Sequence, residues 1–294
     1  MRVLILGNVN FTYKIIESLL KKKILISGIV SQNQKNLKDD YCSLKKIAKK
    51  NLIPYIETKN INSNESIAKI IDIKFDLIIS IGWSQIIKEN FFKKIKKMII
   101  GYHPSNLPIN RGRHPIIWTL ILNLKKTAST FFLLNNKIDD GEIIDKKIII
   151  VPKKYTSKEL YDKLCKTAEY QIISILKKIK TKKLKILKIK KNSKNYWRLR
   201  NKKDGIIDWR MNSSTIYNLI RALNRPYAGA IFLYNNFEYK VFKSKMITVN
   251  NPNIEPGKII KKFKNGSYII KTADNGIKIS CIEPSINLKE NSYL

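Results

Sequence analysis

Apolar residues in the first half of the chain fall into short continuous runs separated by amphipathic stretches. Val3–Leu6 is apolar without interruption and reads as a strand buried on both faces. In Thr12–Lys22, Ile15, Ile16, Leu19 and Leu20 recur at helical spacing and give one apolar face. The alternation continues with a strand at Ile24–Val30, a helix at Ser43–Lys50, a strand at Ile53–Ile56 and a helix at Asn64–Ile73. Leu77–Ile81 and Met98–Tyr102 read as further strands, Pro115–Leu124 as a helix and Thr127–Leu134 as a strand. Thr156-Ser-Lys-Glu159 is a capping box that opens a long helix ending near Lys180.

Strands alternating with helices predict an α/β fold with a Rossmann-like, doubly wound, mainly parallel sheet. The Lys-rich stretch Thr181–Asn195 has no periodicity and reads as a linker, so a domain boundary is expected at 190/191. Beyond it the rhythm changes. One helix, about Ser214–Leu223, is followed by short strands punctuated by Asn235-Asn236, Pro256-Gly257, Asn265-Gly266 and Asn275-Gly276. Residues 191–294 are therefore expected to form a small, OB-like β-barrel. No internal repeat or heptad array is visible.

Composition narrows the function classes. A chain of 294 residues with 44% hydrophobic content can bury a full core without disulfides or metal. Cys42, Cys165 and Cys281 are far apart and odd in number, with no metal-ligand spacing, so a reducing, cytoplasmic setting and no metal site are expected. No apolar stretch approaches the roughly 20 residues that span a bilayer. The net charge of +36 raises nucleic-acid binding. Of 58 basic residues, however, only eight are Arg, and residues 190–294 carry +13 of the charge, close to their share of the length. Such evenness fits compositional drift towards Lys better than one selected binding face. Where Lys is the default cation, each remaining Arg marks a place that needs a planar fork of donors: Arg2, Arg111, Arg113, Arg198, Arg200, Arg210, Arg221 and Arg225.

Two stretches carry candidate chemistry. Gly7-Asn8-Val9-Asn10-Phe11, after the first strand, lacks the glycines of a dinucleotide loop, and Ser105 has no Gly-x-Ser-x-Gly elbow around it. By contrast, Gly101-Tyr-His-Pro-Ser-Asn-Leu-Pro108, continuing to Arg111-Gly-Arg113, follows an apolar strand. That puts His103 where ligands bind in open α/β sheets, and imidazole is suited to proton transfer near neutral pH. The other reading is a His that caps a strand end. Asp139-Asp-Gly141 follows a later strand; it is either an ordinary turn or the carboxylate partner of His103.

Jointly these motifs resemble the formyltransferases that use 10-formyltetrahydrofolate, across essentially the whole chain. That family, which includes methionyl-tRNA formyltransferases and amino-sugar N-formyltransferases, has Asn-x-His, a Ser-Leu-Leu-Pro-like loop, an Arg-Gly pair and Asp-x-Gly. The chain matches with His103, Ser105-Asn-Leu-Pro108, Arg111-Gly112 and Asp139-Asp-Gly141, and later with Asp204-Gly-Ile-Ile-Asp-Trp-Arg210 and Arg221-Ala-Leu-Asn-Arg-Pro-Tyr-Ala-Gly229. The resemblance implies direct acyl transfer: an amine attacks the formyl carbon, His103 accepts the amine's proton, and Asp139 orients and charges the imidazole. It further implies that Gln85, Ile86 and Ile87, with Ser105, Asn106, Leu107 and Pro108, line the pterin and formyl pocket, and that Arg113 contacts the acceptor. No metal is required. One departure stands out. The family's catalytic Asn, which donates to the formyl oxygen, falls at Gly101. His103 in its protonated form and a backbone N–H near Trp83 are the candidate replacements.

Three acceptor readings remain open: an amino-sugar nucleotide, methionyl-tRNA, and, in another class, a non-catalytic RNA-binding protein on the same fold. Methionyl-tRNA enzymes carry a basic insertion with Arg and Gly after the second strand. Here Gln32–Tyr41 is short, with two Lys, two Asp and neither Arg nor Gly, which favours a small acceptor; the lack of a long apolar stretch argues for no membrane partner.

Overall fold

The computed structural model describes residues 1–32, 40–187 and 195–294. Most of segment 32–41, half of the 181–195 linker and the 190/191 boundary lie outside the described residues. The chain divides into two compact units. One comprises Met1–Pro115, Thr127–Ile149 and Asp162–Trp197, the other Ile116–Lys126, Ile150–Tyr161 and Arg198–Leu294.

In order, the elements up to Trp197 are β1 (Arg2–Leu6), α1 (Asn10–Lys21), β2 (Leu25–Ser31), α2 (Lys45–Lys50), β3 (Tyr55–Glu57), α3 (Asn64–Ile71), β4 (Leu77–Ser80), α4 (Glu89–Ile95), β5 (Met98–His103), β6 (Arg111–Gly112), α5 (Pro115–Ile121), β7 (Lys126–Leu133), β8 (Ile143–Ile150), α6 (Ser157–Lys180) and β9 (Tyr196–Trp197). Strands β1 to β5, β7 and β8 form one sheet in the order β3-β2-β1-β4-β5-β7-β8. The first five are parallel, as the alternating pattern predicts. β7 runs antiparallel to β5, pairing Thr130 with His103. The apolar stripes of α3 and α4 cover one sheet face, where Ile67, Ile70, Phe91 and Ile95 pack with Leu4, Leu6, Ile78 and Ile99. On the other, Phe11 of α1 packs at a tilt against Tyr102, which meets Phe131 at 4.9 Å. The chain starts at β1, winds outwards to β3, and returns to β1's other side with β4. That reversal opens a crevice beyond the strands' carboxyl ends.

The second unit holds α7 (Ser213–Ala222) and β10 (Ala230–Tyr234), β11 (Phe237–Ile247), β12 (Ile259–Lys262), β13 (Tyr268–Lys271) and β14 (Gly276–Glu283). The strands form a five-stranded antiparallel sheet in the order β10-β11-β14-β13-β12, over a core that includes Trp209, Ile216, Ile220, Phe232, Tyr268 and Ile279. Asn235 and Asn236 both adopt positive φ at the β10–β11 hairpin, as the Asn-Asn signal predicts. Arg221 is buried, and its guanidinium donates to the carbonyls of Tyr155 and Leu120 and to Asn123 Oδ1.

The sequence expectation about arginine holds throughout. Each of the eight is engaged with a carboxylate or a carbonyl of the protein: Asp76, Asp140, Ser84, Asp204 (twice), Asp208, Tyr155 and Glu283 are among the partners. Several of these forks hold two oxygens at once, a task a lysine cannot perform.

Gly82 ends the β4 edge of the crevice at φ +67°, and a Cβ there would lie 2.1 Å from Val9 Cγ2. Gly82→Ala is therefore expected to lower stability by about 1–3 kcal/mol, the usual cost of a strained φ in a crowded position. Denaturant melts of the two proteins check this; equal midpoints would show that the β1 and β4 loops adjust freely.

Candidate active site

Strand β5 sorts its residues by face. Gly101 and His103 share one side and Tyr102 occupies the other, because successive side chains of a strand alternate. His103, at the strand's carboxyl end, is 6% exposed. Its Nε2 lies 3.3 Å from the Asn110 carbonyl oxygen and its Nδ1 lies 3.6 Å from Asp139 Oδ2. Both neighbours are acceptors, so a ring that has taken up a proton presents an N–H to each. Gly101, two residues back, has no room beside it. A Cβ there would fall 2.1 Å from Leu134 Cδ1 and 2.8 Å from Phe132 Cζ. The volume that a side chain at position 101 would use is filled by these two apolar residues.

Asp139 sits in the turn between β7 and β8 with φ +47°, a left-handed conformation uncommon for a side-chain-bearing residue. Three contacts hold the turn. The Gly112 N–H donates to Asp139 Oδ2 at 3.1 Å. The Arg111 guanidinium, 1% exposed, pairs through one NH2 group with Asp140 Oδ1. Its other NH2 group donates to the Tyr196 hydroxyl at 3.1 Å. Gly141 completes the turn, since a Cβ there would lie 1.6 Å from the Leu133 carbonyl oxygen, and no side chain is possible without moving the backbone. Arg111 is buried and Asp140 mostly so, and removing Asp140's charge would leave the guanidinium buried without its counter-ion.

A cavity of about 330 Å³ opens over this pair. Of the residues proposed from sequence, Gln85, Ile86, Ile87, His103, Arg113 and Asp139 line it. Gln85, however, turns its side chain towards the 59–61 loop, accepting from the Ile61 N–H at 2.7 Å and donating to the Lys59 carbonyl. Asn62, just after that loop, grips the 86–88 segment, donating to the Ile86 carbonyl and accepting from the Lys88 N–H. Arg113 donates to the Ser84 carbonyl at 3.0 Å. Ser105, Asn106, Leu107 and Pro108 are not part of the lining. Ser105 and Leu107 are buried behind it: the Ser105 carbonyl accepts from Thr130, and Leu107 packs with Phe132 and Ile143.

Sequence reasoning did not place Phe132, Leu134, Asn135 or Asn136 at the site, and it read Tyr196 and Trp197 as packing between domains; all six line the cavity. Tyr196 and Trp197 form β9, paired in parallel with Arg111 and Gly112. An aromatic pair in a basic run was the one available signal. Trp83 lines the cavity too, and its indole Nε1 is buried with no partner among the described residues. A second hollow, about 620 Å³, lies among residues 249–256 and 271–275 of the second unit. It brings no base to a nucleophile: Lys271 donates to the Thr272 carbonyl, and Asp274 holds Ser213 at the start of α7. Among the described residues no three His, Cys, Asp or Glu side chains could hold a metal ion, and no helix is long and apolar enough to cross a membrane.

Comparison with known proteins agrees over most of the chain. The model of a family described as formyl transferase matches residues 1–176, and that of the formyl transferase C-terminal domain matches residues 200–290. The chain is 32% identical over 253 residues to the bifunctional polymyxin resistance protein ArnA of Wigglesworthia glossinidia brevipalpis, covering 86% of this chain but only 36% of that relative. It is 25% identical to methionyl-tRNA formyltransferase of Caldanaerobacter subterraneus subsp. tengcongensis, over 95% of this chain and 91% of the relative. It shares its fold with an N-formyltransferase from Helicobacter canadensis solved with folinic acid and dTDP-3-aminofucose (TM-score 0.69, 21% identity, 95% of this chain and 98% of that one).

The crowding at Gly101 is testable without any substrate. Gly101→Asn is expected to cost about 1–3 kcal/mol by overpacking. Adding Leu134→Ala should recover part of that loss, because it vacates the volume the new side chain needs. If denaturant melts show Gly101→Asn to be neutral, Leu134 does not block the position.

Proposed function

Because the chain belongs to the formyl transferase family, we propose that it moves a formyl group from 10-formyltetrahydrofolate onto the primary amine of an amino-sugar nucleotide. The observation that carries the transfer is the His103–Asp139 pair, 3.6 Å apart at the carboxyl end of β5 and facing the cavity. The acceptor's amine must lose a proton as it attacks. His103 takes that proton at a ring nitrogen, and Asp139 stabilises the charge the ring then carries; the bond from the formyl carbon to N10 then breaks, and the proton passes to the departing nitrogen of tetrahydrofolate. Residues 1–190 would form the catalytic part and residues 191–294 the C-terminal domain.

The donor supplies an activated formyl carbon, and the cavity suits its flat, polar-edged pterin end. Trp83, Ile87, Phe132 and Leu134 give apolar walls, while Ser84, Asn135 and Asn136 give polar edges. A volume of about 330 Å³ is at the lower end of ligand cavities, enough for that end of the molecule. We assign Gln85, Ile86 and Ile87 to its wall. The turn of Ser105, Asn106, Leu107 and Pro108 supports that wall from behind. Arg113 is assigned to the acceptor, which has to share its guanidinium with the Ser84 carbonyl.

A small acceptor is supported by the brevity of segment 32–41, which has no Arg and no Gly. The second reading is methionyl-tRNA. It draws on the relatives named methionyl-tRNA formyltransferase, which match nearly end to end, and on the net charge of +36. Binding of RNA without catalysis rests on that charge alone.

His103→Ala and Asp139→Asn are each expected to lower the turnover number a hundredfold or more, the scale of a lost general base and its support. Tetrahydrofolate release, followed with amino-sugar nucleotides and methionyl-tRNA offered in parallel, measures it; near-wild-type rates in both variants remove the pair from the mechanism. The same assay run from 50 to 200 mM salt separates the acceptors. A diphosphate acceptor should change KM by less than about tenfold, whereas a tRNA gripped at six to ten phosphates loses roughly 1,000- to 100,000-fold in affinity. A steep salt slope, or efficient formylation of methionyl-tRNA, overturns the sugar reading.

A further inference from the structure

We propose that Arg111 and Asp140 act as positioning residues for the reaction, through a clasp that holds Asp139 against His103. This rests on the formyl transfer proposed above. Three observations carry it. The Arg111 side chain is almost wholly buried, an unfavourable place for a cation unless something requires it there. Its two NH2 groups are spent on partners from distant parts of the chain, Asp140 in the β7–β8 turn and Tyr196 in β9, while Nε has no partner among the described residues. A fork that spans two segments and leaves a third donor unmet is built to tie those segments rather than to satisfy itself.

The geometry also says what is tied. Asp140 is bonded to Asp139 through one peptide link, and Asp139 holds a positive φ that only its surroundings can enforce. Arg111 and the next residue both reach this turn: Arg111 takes Asp140, and the Gly112 N–H takes Asp139 Oδ2. The β6–β9 pairing and the Arg113 N–H donating to the Trp197 carbonyl hold that donor strand in turn. Without the Arg111–Asp140 link, the turn would relax from its strained φ. Asp139 would then leave both the Gly112 amide and the imidazole. No group in the clasp need touch either substrate.

Asp140→Asn is the test, since it keeps size and shape and removes the charge. In folded protein, judged by circular dichroism and melting, it should lower the turnover number about tenfold or more, the range seen when a supporting shell is lost, with the donor KM changed less than about threefold. Placed in the Asp139→Asn background it should add less than about twofold, because there is no longer a carboxylate to position. Additive losses, or wild-type turnover in Asp140→Asn, overturn the clasp. A second readout needs no activity: amide exchange at Gly112 should quicken on the order of tenfold in Asp140→Asn, with exchange at Ile100 in β5 unchanged. Unchanged protection at Gly112 defeats the clasp even if formyl transfer is real. Quickened exchange in a protein that transfers formyl to no acceptor keeps the clasp and defeats the proposed reaction. If Asp140→Asn fails to fold, Arg111→Lys is read in the same way, since it retains the charge but cannot span Asp140 and Tyr196.

Discussion

A sheet buried on both faces has no place for polar chemistry except at its ends. Residues of β1, β4 and the interior of β5 are apolar and inaccessible almost without exception, and their backbone groups are consumed by the ladders between them. Polar side chains therefore gather where the strands stop. The winding order decides which end is open, because the chain leaves β1 in one direction and comes back on the other side with β4. His103 is a candidate for chemistry for this reason before any partner is considered: it is the last residue of a strand whose earlier residues carry no charged side chain.

The arginines show how a lysine-rich chain reserves its one forked cation. With 50 lysines available, eight positions still carry Arg, and all eight grip protein oxygens. A lysine could supply charge at these places but not two directed donors in a plane. The consequence for recognition is restrictive. The guanidinium of Arg113 already serves Ser84, so under the function proposed above an acceptor would have to compete for it.

Local pattern revealed most of the fold. The parallel strands and their helices, α4 excepted, were legible because an apolar run of four or five residues has few other uses, and Asn235-Asn236 marked a hairpin through its tolerance of positive φ. β8 was missed because its charged residues, Asp145 to Lys147, interrupt the apolar run. At the site, His103 and Asp139 were legible as chemistry, whereas contacts made by reach were not. Gln85 sits on the cavity wall but spends its amide on the 59–61 loop. The Ser105–Leu107 stretch supports Phe132 instead of facing the opening. Tyr196 and Trp197 meet Arg111 and Gly112 across 85 residues, by a two-residue pairing that no periodicity announces.

That last pairing has a consequence for how the protein comes into being. A growing chain can complete β1 to β5 and place His103 while less than half of it exists. The wall that holds Arg111 cannot close until Tyr196 has been made and has found its partner, after α5, β7, β8 and α6. Contacts of such sequence separation form late in folding. The sheet is then a scaffold that assembles early. The pocket wall waits for that pairing, and a nascent or truncated chain ending before Tyr196 would carry the histidine without this part of its enclosure.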